Sequence, residues 1–117
     1  MTMTEQRVLF DDCEYSDAQE LMYEGQPFSG VVIEEGLRGQ LLTERHFRQG
    51  IPDGLSRIWY HDGTLKQESE FAFGMRRYHR EWYPNGRPRR ALIYDPKGHP
   101  VSDNAWDETG REIEAST

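Results

Sequence analysis

The chain has 117 residues, with 21 acidic against 14 basic side chains for a net charge of −7, and is 35% hydrophobic, 30% charged and 12% aromatic, with 11 glycines. This length fits one domain, and so little aliphatic material argues against a deep two-layer core. No apolar run approaches the roughly 18 residues of a membrane helix, and the single cysteine, Cys13, excludes an internal disulfide.

In chain order, the only apolar patch in the first nine residues is short and is interrupted by Glu5, Gln6 and Arg7, so there is no signal-peptide core and a cytoplasmic location is expected. Val8, Leu9 and Phe10 predict a short strand or a segment packed across the first hairpin. Ser16 or Asp17 can cap a helical turn over 17–22, with a loop as the alternative reading. Residues 1–22 are therefore read as an N-terminal cap. Gly25 to Gly30 opens the first repeat, a strand follows over 31–34, Gly36 to Gly39 turns the chain, and 41–47 returns.

In the second repeat, Gly50 and a Pro52-Asp53-Gly54 corner lead into a strand over 55–60. There Leu55, Arg57 and Trp59 face one way and Ser56, Ile58 and Tyr60 the other. Asp62-Gly63 is expected to close this hairpin as a type I′ turn, because glycine accepts the left-handed backbone that such a turn needs. The third repeat runs from Gly74 through Trp82 and Tyr83 to Pro84-Asn85-Gly86, another strong hairpin signal. Its return strand, 88–94, starts with a proline, which a strand tolerates at its first residue. The fourth repeat, from Asp95-Pro96-Lys97-Gly98 to Trp106, keeps the spacing with fewer apolar residues, as a capping unit facing water should. A frayed tail is expected over 111–117.

The repetition is visible in two interleaved glycine series. Gly39, Gly63, Gly86 and Gly110 are spaced 24, 23 and 24 residues apart, and Gly25, Gly50, Gly74 and Gly98 are spaced 25, 24 and 24. Trp59, Trp82 and Trp106 keep phase with the first series. Two turns per period imply one at each end of a strand pair. The expected fold is all-β: a single-domain antiparallel β-meander of four hairpin repeats over 23–110.

Charge is unevenly distributed. Residues 1–37 hold nine acids, including Asp11, Asp12, Glu14 and Asp17, against Arg7 alone, whereas 38–99 hold twelve Lys or Arg against seven acids. Such asymmetry can steer a partner of opposite charge, or it can merely keep a strand-rich chain in solution. Trp59, Tyr60, Trp82 and Tyr83 recur at one level of successive hairpins, with Arg57 and Arg80 nearby. Exposed Trp, Tyr and Arg dominate binding energy at protein interfaces, so these ten residues are the candidate partner-binding set. The alternative for the aromatic rows is that they only cover the sheet. The basic run over 76–80, with Arg87, Arg89 and Arg90, would suit phosphate contact and base stacking. A net charge of −7 and Glu81 inside the run oppose that, so neither nucleic acid nor membrane is expected as a partner.

Catalytic patterns are nearly absent. His46, His61, His79 and His99 lie 15, 18 and 20 residues apart, without metal-ligand spacing. Asp11, Asp12 and Glu14 cluster, but paired carboxylates serve as acid and base only where a pocket splits their pKa values. Ser56 and His61 share a hairpin, with no acid placed to complete a triad. Neither enzymatic activity nor a cofactor is expected.

Four motifs stand in register: G-x-P-F-S-G at Gly25 to Gly30, G-x-P-D-G-x-x-R-x-W-Y at Gly50 to Tyr60, D-G-x-L-x-x-E at Asp62 to Glu68, and W-Y-P-N-G-R at Trp82 to Arg87. On these the chain resembles the bacterial variant of the MORN repeat carried by YwqK-like antitoxin and immunity proteins. The resemblance spans roughly Tyr23 to Gly110. Tyr78 stands where the pattern has glycine, and Pro88 where it has leucine. The resemblance implies hairpins in a row and neutralisation of a cognate protein toxin by binding and occlusion of its active site, the toxins including nucleic-acid-targeting enzymes such as deaminases or nucleases. The alternative is a MORN-repeat scaffold or membrane-surface interaction module.

Overall fold

The computed structural model describes residues 5–114, and the protein is all-β. Twelve strands occur in chain order: β1 Arg7–Leu9, β2 Cys13–Tyr15, β3 Leu21–Tyr23, β4 Gln26–Pro27, β5 Gly30–Glu35, β6 Leu41–Arg48, β7 Ile51–Trp59, β8 Leu65–Ala72, β9 Met75–Trp82, β10 Pro88–Tyr94, β11 Pro100–Trp106 and β12 Glu112–Ile113. From β5 to β12 they form one antiparallel meander in sequence order, and β1 adds to its first edge in parallel with β5. Strands β2, β3 and β4 form a separate three-stranded sheet.

Two turn chemistries close the hairpins. At one end of the meander, Gln49-Gly50 and Phe73-Gly74 have φ values of 52 and 81 and of 52 and 83°, and Glu24-Gly25, between β3 and β4 of the small sheet, has 51 and 79°. Left-handed backbone at both central residues is the type I′ signature. At the other end, Asp62 has no positive φ while Gly63 does. The Gly63 N–H donates to the Tyr60 carbonyl and the Tyr60 N–H donates to the Thr64 carbonyl. This is a type I turn followed by a left-handed glycine, the G1-bulge hairpin; it recurs at that end at 36–40, 83–87 and 107–111, and also closes β10 to β11 at 95–99 on the end of the type I′ turns. The type I′ assignment at Asp62-Gly63 is thus corrected: the primed turns are those of Gly25, Gly50 and Gly74 in the other series, and Gly98 departs from them. The bulge also explains why the register slips by one residue between Ile58 and Trp59 and between Glu34 and Glu35.

Three further expectations change. Pro52-Asp53-Gly54 is no corner but lies within β7, where a second bulge sets Gly54 (φ 102°) against the Cβ of His46. The His46 ring Nδ1 lies 2.8 Å from the Leu55 carbonyl oxygen there. Residues 16–20 make a tight turn of the same bulged kind with Gln19 at φ 65°, so no helical turn forms over 17–22; among the described residues the one short 3-10 turn is Phe10–Asp12. In the expected frayed tail, Ala105 and Trp106 pair with Ile113 and Glu112, while 115–117 lie outside the described residues.

Packing follows from composition. Val8, Leu21, Phe28, Val32 and Phe47 form the buried cluster, with Phe10, Cys13 and Tyr23 against it. All lie where the three-stranded sheet covers the first strands of the meander. Farther along, buried side chains are sparse and each hairpin is held by its neighbours. A radius of gyration of 16.0 Å exceeds the ~13 Å of a compact chain of this length. Hydrogen bonds tie successive repeats at both ends. The Tyr60 hydroxyl donates to the Trp82 carbonyl at 2.8 Å and the Tyr83 hydroxyl to the Trp106 carbonyl at 2.7 Å. At the opposite end, the Gly50 N–H donates to the Phe28 carbonyl and the Gly74 N–H to the Pro52 carbonyl.

The glycines of the two ends should differ in tolerance. A Cβ at Gly50 would lie 2.9 Å from the Glu20 Cβ and 3.0 Å from the Leu21 carbonyl oxygen, whereas at Gly86 nothing lies within 4 Å. Gly86→Ala should cost about 1–2 kcal/mol, the penalty of a left-handed alanine. Gly50→Ala adds a backbone clash and should cost at least ~3 kcal/mol. Urea midpoints at unchanged m-value check the order.

Candidate partner-binding surfaces and an inner cleft

Cross-strand pairing sorts the meander into two faces. The inner face, beneath the three-stranded sheet, carries the row Val32, Arg45, Ser56, Ser69, His79, Leu92 and Asp103. The outer face carries Glu44, Arg57, Glu68 and Arg80 in the next register position, with Arg7 reaching Glu44. Leu55 and Arg57 therefore point outward and Ser56 and Ile58 inward, as the alternation along this strand predicts.

The outer row is a ladder of alternating charge. The Arg57 Nε donates to Glu68 Oε2 at 2.8 Å, the Tyr78 hydroxyl donates to Glu68 Oε1 at 2.8 Å, and the Arg80 guanidinium stacks 4.7 Å from the Tyr78 ring centre. Burial alone would raise the Glu68 carboxyl. The hydrogen bonds from Arg57 and Tyr78 and the charges of Arg57 and Arg80 reverse that and hold it below the usual glutamate range. Arg57 is thereby engaged within the sheet, while Arg80 remains exposed.

Trp59, Tyr60, Trp82 and Tyr83 are all half-buried. The hydroxyls of both tyrosines are spent on the carbonyls of the following tryptophans, so this row joins repeat to repeat. The free aromatic surface lies elsewhere: Phe73, at the tip of a type I′ turn, is 80% exposed. No pattern marked that position, since the corresponding turn residues are Glu24 and Gln49.

The acidic candidates separate from every other group. Asp11 and Asp12 lie on the 3-10 turn, Glu14 on β2 and Asp17 in the turn at 16–20, and all four are exposed. None of them makes an ion pair among the described residues, whereas Glu34, Glu44, Glu68, Glu81 and Asp103 each pair with an arginine or histidine. Beside them, Cys13 is partly buried; burial and then the Asp12 charge push its thiol up, against the pull of Arg45. Its Sγ donates to the Leu9 carbonyl at 3.5 Å.

The inner face holds a chain of contacts that sequence reasoning missed. Ser69 Oγ lies 2.6 Å from His79 Nδ1, and His79 Nε2 lies 2.8 Å from Glu81 Oε2. With the carboxylate accepting from Nε2–H, Nδ1 accepts a hydrogen bond from the Ser69 hydroxyl. This joins a hydroxyl, an imidazole and a carboxylate, as in a hydrolase triad. Ser69 is only 5% exposed and sits within the strand ladder. The chain of contacts satisfies two buried polar side chains, both of which border the inner cleft. Its signal in the sequence was His79 and Glu81 two apart on one strand; the cross-strand position of Ser69 required the register. The cleft in front, of about 260 Å³, is lined also by Tyr15, Arg45, Phe71 and Arg76. Among the described residues no three His, Cys, Asp or Glu side chains are grouped to hold a metal ion, and no helix is long and apolar enough to cross a membrane.

The lowered Glu68 carboxyl predicts an acid limb of stability. Because its folded value lies below its unfolded value of ~4.3, its stabilisation is present above that pH and is lost as pH falls through the lower folded value. Asp103, lowered chiefly by its hydrogen bond from Arg90, acts in the same direction below its own unfolded value. In urea titrations across pH 2–7, Glu68→Gln should flatten part of this limb and cost ~1–3 kcal/mol at neutral pH.

No family model matches this chain, and no curated protein or solved structure is significantly similar to it.

Proposed function

We propose that this chain is a non-catalytic antitoxin or immunity protein, which neutralises a cognate toxin by binding it and occluding its active site. The observation that carries the reading is the unpaired acidic lip formed by Asp11, Asp12, Glu14 and Asp17. A carboxylate already engaged within the sheet must break that pair before it can meet a partner, whereas these four are solvated and can pair with incoming cations at once. Their clustering on one edge of the cap favours a basic partner surface. A cleft that binds nucleic acid is one, which fits a toxin of the deaminase or nuclease type. The variant MORN-repeat resemblance supports the same reading, and an open sheet of exposed hairpins offers a broad surface to lay over such a cleft. Exposed Phe73 adds an apolar contact; Trp59, Tyr60, Trp82 and Tyr83 hold the sheet rigid.

Coexpression with the product of the neighbouring gene tests this. Wild type should copurify with it and restore growth. The triple change Asp11→Lys, Asp12→Lys and Glu14→Lys should retain the β-sheet circular dichroism spectrum, because these side chains are exposed, while losing at least about tenfold in affinity. Rescue that survives the triple change would exclude the acidic lip as the contact. Absence of any toxin among the neighbouring products would remove the antitoxin reading itself.

A further inference from the structure

The cleft on the inner face is unlike the rest of this acidic molecule. Twelve residues line it, including Arg45, Arg76 and the imidazoles of His46 and His79, and none of the twelve is Asp or Glu. Three of the four meet a carboxylate outside the lining: Arg45 Nη2 meets Glu34 at 3.3 Å, His46 Nε2 meets Glu5 at 3.6 Å and His79 Nε2 meets Glu81 at 2.8 Å. Both arginines are held by aromatic rings, Arg45 at 4.8 Å from the Phe10 centre and Arg76 at 5.3 Å from that of Phe71. A guanidinium stacked on a ring keeps its edges for planar or tetrahedral oxyanions, and Arg76 is exposed. Arg76 makes no ion pair among the described residues. The Nε–H of Arg45 is sealed from solvent without a hydrogen-bond acceptor, and a buried donor left unmatched is costly.

We infer that this cleft is a binding site for a small oxyanion, a carboxylate or phosphate carried on a compact apolar body. The unpaired Arg76 would take the oxyanion, and Ile58, Phe47 and Phe71 form the apolar wall of the same cleft. The volume of about 260 Å³ lies just below the range that encloses drug-sized ligands, which limits the occupant to a few heavy atoms beyond the charged group. The site is separate from the acidic lip, and its occupancy does not depend on the antitoxin reading.

Calorimetric titration of the full chain with inorganic phosphate and, separately, with benzoate, at ionic strength held constant with chloride, tests the site. Saturable binding with a dissociation constant below about 10 mM is expected for at least one of the two. Saturation by phosphate alone assigns the phosphate class, and by benzoate alone the carboxylate class. Arg76→Gln, at an exposed position that tolerates the change, should weaken binding by about tenfold. Arg38→Gln, at an exposed arginine outside the cleft, should leave it unchanged. Failure of both anions to saturate overturns the inference, as does equal weakening by the two substitutions, which would mark general charge attraction.

Discussion

The left-handed backbone at the hairpin ends is the constraint on which this fold depends. Each reversal of the meander needs at least one residue at positive φ, and glycine supplies it at both ends. Where two such residues stand together, as at Gln49-Gly50, the turn is tight enough for its backbone N–H to reach the neighbouring hairpin. Where only one does, a bulge absorbs the extra residue and the register slips. With turns fixed at both ends, strand length is fixed, and with it which side chains face inward. The charge ladder, the tyrosine struts and the inner cleft are all consequences of that common length.

Because no central core exists to do so, polar contacts hold much of the sheet. The buried apolar cluster is confined to the capped end, and beyond it cohesion passes to cross-strand pairs such as Arg57 with Glu68 and Arg90 with Asp103, and to hydroxyl-to-carbonyl links between repeats. An ion pair across strands is worth only ~0.2–1 kcal/mol. A series of them in register, joined by the backbone ladder, suffices to order a sheet whose two faces remain accessible. That accessibility is what a surface for capturing a macromolecule requires.

Fold class and strand order were legible in the sequence because glycine spacing and strand alternation are local signals. Turn type was legible only in part: Asp62-Gly63 and Gln49-Gly50 both end in glycine, but the φ of the preceding residue separates them, and its identity does not determine that angle. The acidic lip could be read from composition, and its freedom from internal pairing required coordinates. The cleft was beyond sequence reasoning, since Arg45, Ser69 and Arg76 come from three strands and meet only through register. The tyrosines were singled out as a binding row on exposure grounds, yet their hydroxyls are needed one repeat away, a distance of 23 residues in the chain for Tyr83 and Trp106.

The links between neighbouring hairpins have a consequence for how such a molecule can change size. The Tyr60 strut meets the carbonyl of Trp82 and the Tyr83 strut that of Trp106, so the hairpin of β9 and β10 presents to the next the same fastening that it receives from the one before. Whole hairpins can therefore be added or removed without redesigning a junction. Each step would alter the span of the sheet by two strand spacings, about 10 Å, so that the breadth of surface offered to a partner comes in fixed increments.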